Sequence, residues 1–418
     1  MKPRPATGGA LGHLDWATNG ASSTAWCRSA SHPPPSASFL ALVAAAVLTG
    51  ATTARPTSPG FIAHTIATGL SKGYQVVVSD LNRDGKPDII ALDSGLNELR
   101  WYENPGWTRH LLITGIDVPI NASVYDVDGD GIPEIALAHG FATEYASSPG
   151  VVSILTHGGD PAAPWSAREI DRLPTSHRLR FVDITGTGKK VLVNFPLIGS
   201  HATAPEYRDH VPLVMYRPGE WKRELIDDDE EGVVHGIFST DWSGDTRESL
   251  LSASFLGVHA RRFDKGQWTR TKVVDGDPSP WPKSGSSEIV VGRLGREYFL
   301  GTIEPWHGNQ AVVYRQRDGV WTRHVVDGSI TDGHTMSVGD FDGDGQDEIV
   351  VGEREGKRSV YLYRLTNVRE DRWARQVLDD GGMAAAGCAV ADLNGDKRPD
   401  VVCIGTATAN VKWYENRR

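Results

Sequence analysis

Residues 340–352 read DFDGDGQDEIVVG, and the order of residue types in that stretch decides the fold. Oxygen-bearing side chains at Asp340, Asp342, Asp344 and Glu348 stand at positions 1, 3, 5 and 9 of a tight turn. Gly343 and Gly345 permit the backbone bends such a turn needs. A β-branched run follows at once, so the segment reads as a turn feeding a strand. The unit recurs at Asp80 (DLNRDGKPDII), Asp126 (DVDGDGIPEIAL), Asp183 (DITGTGKKVLV), Asp241 (DWSGDTRESLL) and Asp392 (DLNGDKRPDVV), with a degenerate copy at Gly292 (GRLGREYFLGTI). Successive anchors lie 46 to 58 residues apart, the length of a four-stranded propeller blade with its loops.

Between the anchors a second element recurs: an aromatic, a basic residue, then alternating apolar positions. It begins at Trp107, Trp165, Trp221, Trp268, Trp321 and Trp373. Alternation of this kind marks a half-exposed strand, here the outer strand of each blade. A seventh copy, HTIA at His64, precedes the first anchor, and the chain ends on VKWYEN with no outer strand after it. The expectation is therefore an all-β, seven-bladed β-propeller whose N-terminal strand completes the last blade.

The bulk numbers agree. With 46 Gly and 24 Pro among 418 residues, the chain is turn-rich, and its net charge of −10 excludes a nucleic-acid backbone as partner. The apolar run Phe39–Leu48, followed by small residues, reads as a signal-peptide core too short to form a stable membrane span. Residues 1–58 are expected to be signal peptide and disordered leader, residues 59–418 the propeller, and the location extracytoplasmic (periplasmic or secreted). The three cysteines form no zinc pattern. Cys388 and Cys403 fall on strands that should be neighbours, which leaves a disulfide open, with two small buried hydrophobes the favoured alternative.

Four turns carry the full donor set: Asp80, Asn82, Asp84, Asp88; Asp126, Asp128, Asp130, Glu134; Asp340, Asp342, Asp344, Glu348; and Asp392, Asn394, Asp396, Asp400. Carboxylates crowded this closely repel one another unless a hard cation sits among them, so structural Ca2+ is expected there. The alternative is an Asx-rich hairpin without metal. The Asp183 copy has lost the donors and the Asp241 copy keeps only part of the set, so neither is expected to hold an ion. These residues resemble the FG-GAP or VCBS repeat family, and the resemblance implies that calcium staples the first hairpin of a blade.

On the opposite face, His177, His235 and His334 each stand six residues before an anchor, which places them at one height around the channel. Loops on that face add His259, His307 and Glu304. Imidazoles gathered at a channel mouth can bind a transition metal or move protons. The strings SGSSEIVVG (from Ser284), IEPWHGNQAVVY (from Ile303), GHTMSVGDFDGDGQDEIVVG (from Gly333) and GMAAAGCAVADLNGD (from Gly382) resemble the propeller portion of the aldos-2-ulose dehydratase family, most strongly from Ser284 to Asn416. That resemblance implies a metal-dependent lyase acting on keto-sugars such as 1,5-anhydrofructose. The family enzyme continues into cupin-like domains and this chain stops at Arg418, so an activity housed in those domains is not expected here.

Eliminating water beside a carbonyl needs a base for the α-proton, a Lewis acid for the enolate and an acid for the leaving hydroxyl. The expected metal ligands are His177, His235 and Glu288, for a divalent ion such as Mg2+ or Zn2+. His334 or His307 is the expected base, with Glu304 nearby. Arg354 orients a hydroxyl or pairs with Glu353, and Trp306 and His259 contact a sugar or glycan substrate. The competing expectation is a non-catalytic, calcium-stabilised propeller that binds glycan or protein on its His-rich face. No nucleophilic Ser or Cys arrangement, nucleotide-binding loop or redox motif stands out.

Overall fold

The computed structural model describes residues 60–418, so the leader and signal-peptide expectation lies outside the described residues. Twenty-eight strands, numbered β1 to β28 in chain order, form seven four-stranded antiparallel sheets. Six sheets are built from four consecutive strands each. The seventh has the order β1-β28-β27-β26, so β1 (Phe61–Thr68) lies against β28 (Asn410–Asn416) and closes the ring as expected. Its register pairs Phe61 with Asn416 and Thr68 with Asn410. Among the described residues no helix is long and apolar enough to cross a membrane.

The second strand of each blade explains the β-branched runs. In β3 (Asp88–Asp93), Ile90 and Leu92 pack toward the second blade with Leu137 and Leu155. Ile89 and Ala91 pack toward the last blade with Val402 and Ile404. A strand buried on both faces needs apolar residues at consecutive positions rather than alternate ones. The outer strands keep the alternation instead: in β25 (Arg372–Asp379), Trp373, Gln376 and Leu378 are half-buried and the residues between them exposed.

The acidic turns join the first and second strands of their blades at one face. The anchor carboxylate nucleates each turn: Asp80 accepts the N–H groups of Asp84 and Gly85, and Asp340 those of Asp344 and Gly345. The donor-poor copies fold the same way, Asp183 accepting from Gly186 and Gly188 and Asp241 from Gly244 and Thr246. At position 9 the carboxylate turns back to cap the second residue of its own turn, in Asp88 to Leu81, Glu134 to Val127, Glu348 to Phe341 and Asp400 to Leu393. The anchor and position 9 carboxylates thus serve the hairpin itself, and the side chains at positions 3 and 5 accept further N–H groups of the turn. The favoured reading of the cysteines is corrected: Cys388 and Cys403, directly opposite across β26 (Ala385–Ala391) and β27 (Asp400–Gly405), form a disulfide.

Candidate functional site

The innermost strands carry the site. They include β2 (Gly73–Ser79), β10 (Ser176–Val182), β14 (Val234–Thr240), β18 (Glu288–Leu294), β22 (Gly333–Gly339) and β26. In five of the seven, a one-residue bulge falls at the second position: Tyr74, His177, His235, His334 and Ala386 each lack an opposite number on the next strand. A bulge re-aims its extra side chain and resets the alternation after it. This is the physical content of the six-residue phase to each anchor. The side chains stand within the first residues of the strands, not in the loops entering them.

The phase brings three imidazoles together and a turn supplies a fourth. Ring centroids lie 5.0 Å apart for His177–His235, 4.8 Å for His235–His307, 5.0 Å for His235–His334 and 5.0 Å for His307–His334. His307 reaches the group from the turn after β19 (Glu297–Glu304), where its backbone adopts the left-handed conformation at φ 49°. Such a φ in a non-glycine residue costs free energy and persists only where surrounding structure enforces it.

Hydrogen bonds fix the tautomers. A carbonyl oxygen only accepts, so His334 Nδ1, 2.6 Å from Ala386 O, carries its proton, and Nε2 keeps its lone pair. That Nε2 is buried and has no partner. His235 Nδ1 faces Ser287 O at 3.2 Å and Glu288 Oε1 at 2.9 Å, which again leaves Nε2 as the acceptor. His307 Nδ1 accepts from Arg354 at 3.1 Å, so its Nε2 donates to His235 Nε2 at 3.1 Å. Burial first, and then the neighbouring guanidiniums of Arg178 and Arg354, hold His235 and His334 well below the usual imidazole range. These rings are neutral bases with aimed lone pairs. The single ring nitrogens of His235, His307 and His334 that face one another lie within 4.8 Å.

Arg178 corrects the expected metal set. Its guanidinium lies 3.2 Å from His177 Nε2, 3.5 Å from His235 Nε2 and 3.2 Å from Glu288 Oε1. A fixed cation already occupies the space between those three groups, so a metal ion there would meet like charge. Burial pushes the Glu288 carboxyl up to about 7 against the pull of Arg178. Tyr74, six residues before Asp80, completes this side: its hydroxyl lies 2.8 Å from His177 Nε2 and 3.4 Å from Arg178.

Two other expected residues are elsewhere. Glu304 is fully buried inside its blade, where Oε1 accepts from Thr302 and Tyr314, each at 2.7 Å, and Oε2 pairs with Arg323 at 2.8 Å. It is the last residue of β19 and points into the sheet. His259 sits inside the fourth blade, 3.2 Å from buried Glu230, rather than on a substrate surface. Arg354 pairs with Asp332 at 2.9 Å and not with Glu353. Trp306 lies at the mouth with its ring centroid 4.7 Å from His307 and 5.6 Å from Tyr207, beside Phe255.

Fold and turns together define a seven-bladed β-propeller with FG-GAP-like turns. The FG-GAP-like repeat model matches residues 80–137 and 340–403, the two stretches that hold the four full turns. The aldos-2-ulose dehydratase β-propeller domain model matches residues 149–317, which contain His177, His235, Glu288 and His307. This second match lies N-terminal to most of the Ser284–Asn416 stretch in which the sequence strings suggested the likeness. The chain is similar to aldos-2-ulose dehydratase of Phanerodontia chrysosporium, 26% identical over 300 residues, covering 63% of this chain and 32% of the relative. It therefore spans about a third of that relative's length. Two solved structures share the fold. An Agrocybe aegerita lectin that recognises non-reducing terminal N-acetylglucosamine gives a TM-score of 0.51 at 16% identity, over 83% of this chain and 86% of that one. The Dos1 propeller gives 0.52 at 9%, over 83% and 82%.

Proposed function

We propose that this propeller is an exported carbohydrate lyase of dehydratase type, eliminating water from a keto-sugar such as 1,5-anhydrofructose on its imidazole face. The observation that carries it is the convergence of His235, His307 and His334, with the His235 and His334 Nε2 lone pairs fixed by carbonyl partners on Nδ1 and the His334 Nε2 buried without a partner. Such a donor set fits a divalent ion such as Zn2+. When bound, the ion would polarise the sugar carbonyl as a Lewis acid. Holding it requires Arg354 to release His307 Nδ1 and the His307 proton to move there, with Asp332 Oδ1 3.6 Å away to receive the hydrogen bond.

The chain's own groups handle the protons. The Tyr74 hydroxyl donates to the His177 Nε2 lone pair, so its oxygen can take the α-proton as its own proton passes to the imidazole. The electron pair left on carbon forms the double bond, and the β-hydroxyl departs as water with a proton returned by the same pair. Arg178 stands 3.4 Å from the tyrosyl oxygen and opposes negative charge building there. Without the ion Arg354 fixes His307 through Nδ1, and Trp306 with Tyr207 offers aromatic faces to a sugar ring. The Cys388–Cys403 disulfide supports an oxidising, extracytoplasmic location.

A non-catalytic reading, in which the face binds glycan or protein, is favoured by Arg178, which fills the gap between His177 and His235 as a plug would. Metal analysis of the purified protein, with a screen of keto-sugars for ultraviolet-absorbing enones, separates the two. About one equivalent of transition metal and an enone product are expected; metal-free protein that leaves every keto-sugar intact ends the lyase reading.

Calcium is proposed for the acidic turns, with unequal affinities. Asp126, Asp128 and Glu134, and separately Asp340, Asp342 and Asp344, gather three carboxylates each. In the other two turns the position 5 carboxylate is taken by a neighbouring cation, Asp84 by Lys86 and Asp396 by Arg398. Calorimetric titration should show two tight sites and two weaker ones. Chelation should lower the melting temperature, since each site at a hundredfold excess over Kd contributes about 2.7 kcal/mol. Four equivalent sites, or a melt indifferent to chelator, contradict this.

A further inference from the structure

On the acidic-turn side of the imidazoles the channel widens into a cavity of about 460 Å³. Its wall mixes apolar side chains such as Ile237, Val290 and Met336 with polar ones such as Gln75, Asn121 and Ser337. The charged residues of that wall are Arg178, Arg180 and Glu288. Because the β10 bulge resets the alternation, Arg178 and Arg180 point to the same side of the strand, into the channel, while Leu179 and Phe181 face the core. The two guanidiniums are displaced by two residues, roughly 7 Å along the axis.

Glu288 is already engaged by Arg178 and His235. Arg180 makes no hydrogen bond or ion pair among the described residues, and its guanidinium keeps access to the channel space. One carboxylate therefore answers two fixed cations inside the channel. An uncompensated charge in such surroundings is costly unless an anion meets it. The surplus is positive within a chain of net charge −10, so it is a local feature of the tube and not a reflection of bulk composition.

We propose that Arg180 forms an oxyanion site, with Arg178 adding a second positive charge nearby, that takes the carboxylate of an acidic sugar and holds its ring toward the imidazoles. A planar guanidinium with free donors matches a carboxylate in two parallel hydrogen bonds. The oxyanion site stands on the charge and geometry of the channel alone. Its assignment to a sugar acid rests on the lyase reading, and it shifts the substrate class from neutral keto-sugars to ones bearing a carboxylate.

The test is calorimetric binding to the full chain of D-glucuronate, inorganic phosphate and glucose, at constant ionic strength in chloride, with wild type and Arg180→Gln. Glucuronate should bind and glucose should not. Arg180→Gln should weaken glucuronate by about 10- to 100-fold, the loss of a hydrogen bond to a charged group. In chloride alone the variant should melt higher than the parent, because an unanswered charge is gone; a lower melt overturns the unsatisfied-charge argument. Equal binding of glucose and glucuronate, or a variant that binds as the parent does, overturns the site. Response to phosphate without glucuronate overturns the sugar-acid assignment. Glucuronate binding without turnover of any sugar leaves the site standing and removes the lyase reading.

Discussion

Replacing His235 by alanine is expected to lower turnover by about a hundredfold or more, the usual loss when a metal ligand or proton-transfer group is removed. His235 is the hub of the face. Its ring lies within 5.0 Å of His177, His307 and His334, and Nε2 accepts from both His307 and Arg178. Its loss also leaves the Glu288 carboxylate with Arg178 as its remaining partner. Because the ring is buried, the melt should fall as well, so a partner variant is needed. His307 is half-buried in a turn and holds no strand together, so His307→Ala should keep the fold while losing kcat to a similar degree. Near-ultraviolet circular dichroism with kcat and KM for both variants decides the matter. Parallel loss of kcat with native spectra is the expected result. If His307→Ala turns over as the parent does, the imidazoles are a polar plug.

The blade count, the closing strand and the three phased histidines were legible because each is a statement about periodicity, which survives without coordinates. Tyr74 shares the phase but reads as an ordinary strand aromatic, and only its contact with His177 reveals it. The six-residue rule applied without regard to residue type would have found it. Arg178 and Arg180 were hidden by the bulge at His177: strict alternation from His177 turns both toward the core, and one extra residue reverses that. The metal set was misread for the same reason, since the cation inside it comes from that bulged strand. Glu304 was credited to the site through its neighbour His307. Alternation along β19 sends its carboxylate into the blade, where Tyr314 and Arg323 satisfy it. A resemblance in a string of residues does not say which side of a strand each one faces.

Deleting residues Gly60 to Ala67 is expected to cost the protein its solubility and much of its stability. β1 is the outer strand of the last blade, and it ties the two ends of the described chain in one sheet. Its removal uncovers β28, whose residues are nearly all buried, whereas β1 itself alternates as an outer edge should. Phe61 packs edge-on against Phe341 at 5.7 Å, and His64 stacks on Trp413 at 4.7 Å while bonding Glu415 at 2.8 Å. Losing the burial of Phe61 and the cover over Trp413 removes about 3 to 6 kcal/mol at roughly 1.5–3 per large apolar side chain. The exposed edge adds a second hazard: an unpaired, apolar strand is a template for pairing with another chain. A large fall in melting temperature with concentration-dependent aggregation should follow, measured by calorimetry and light scattering. Phe61→Ala, which keeps the backbone pairing, should show a smaller fall and no aggregation, separating packing from edge protection. A deletion variant as soluble and as heat-stable as the parent would mean that the ring holds without this strand and that the last blade is stable as three strands.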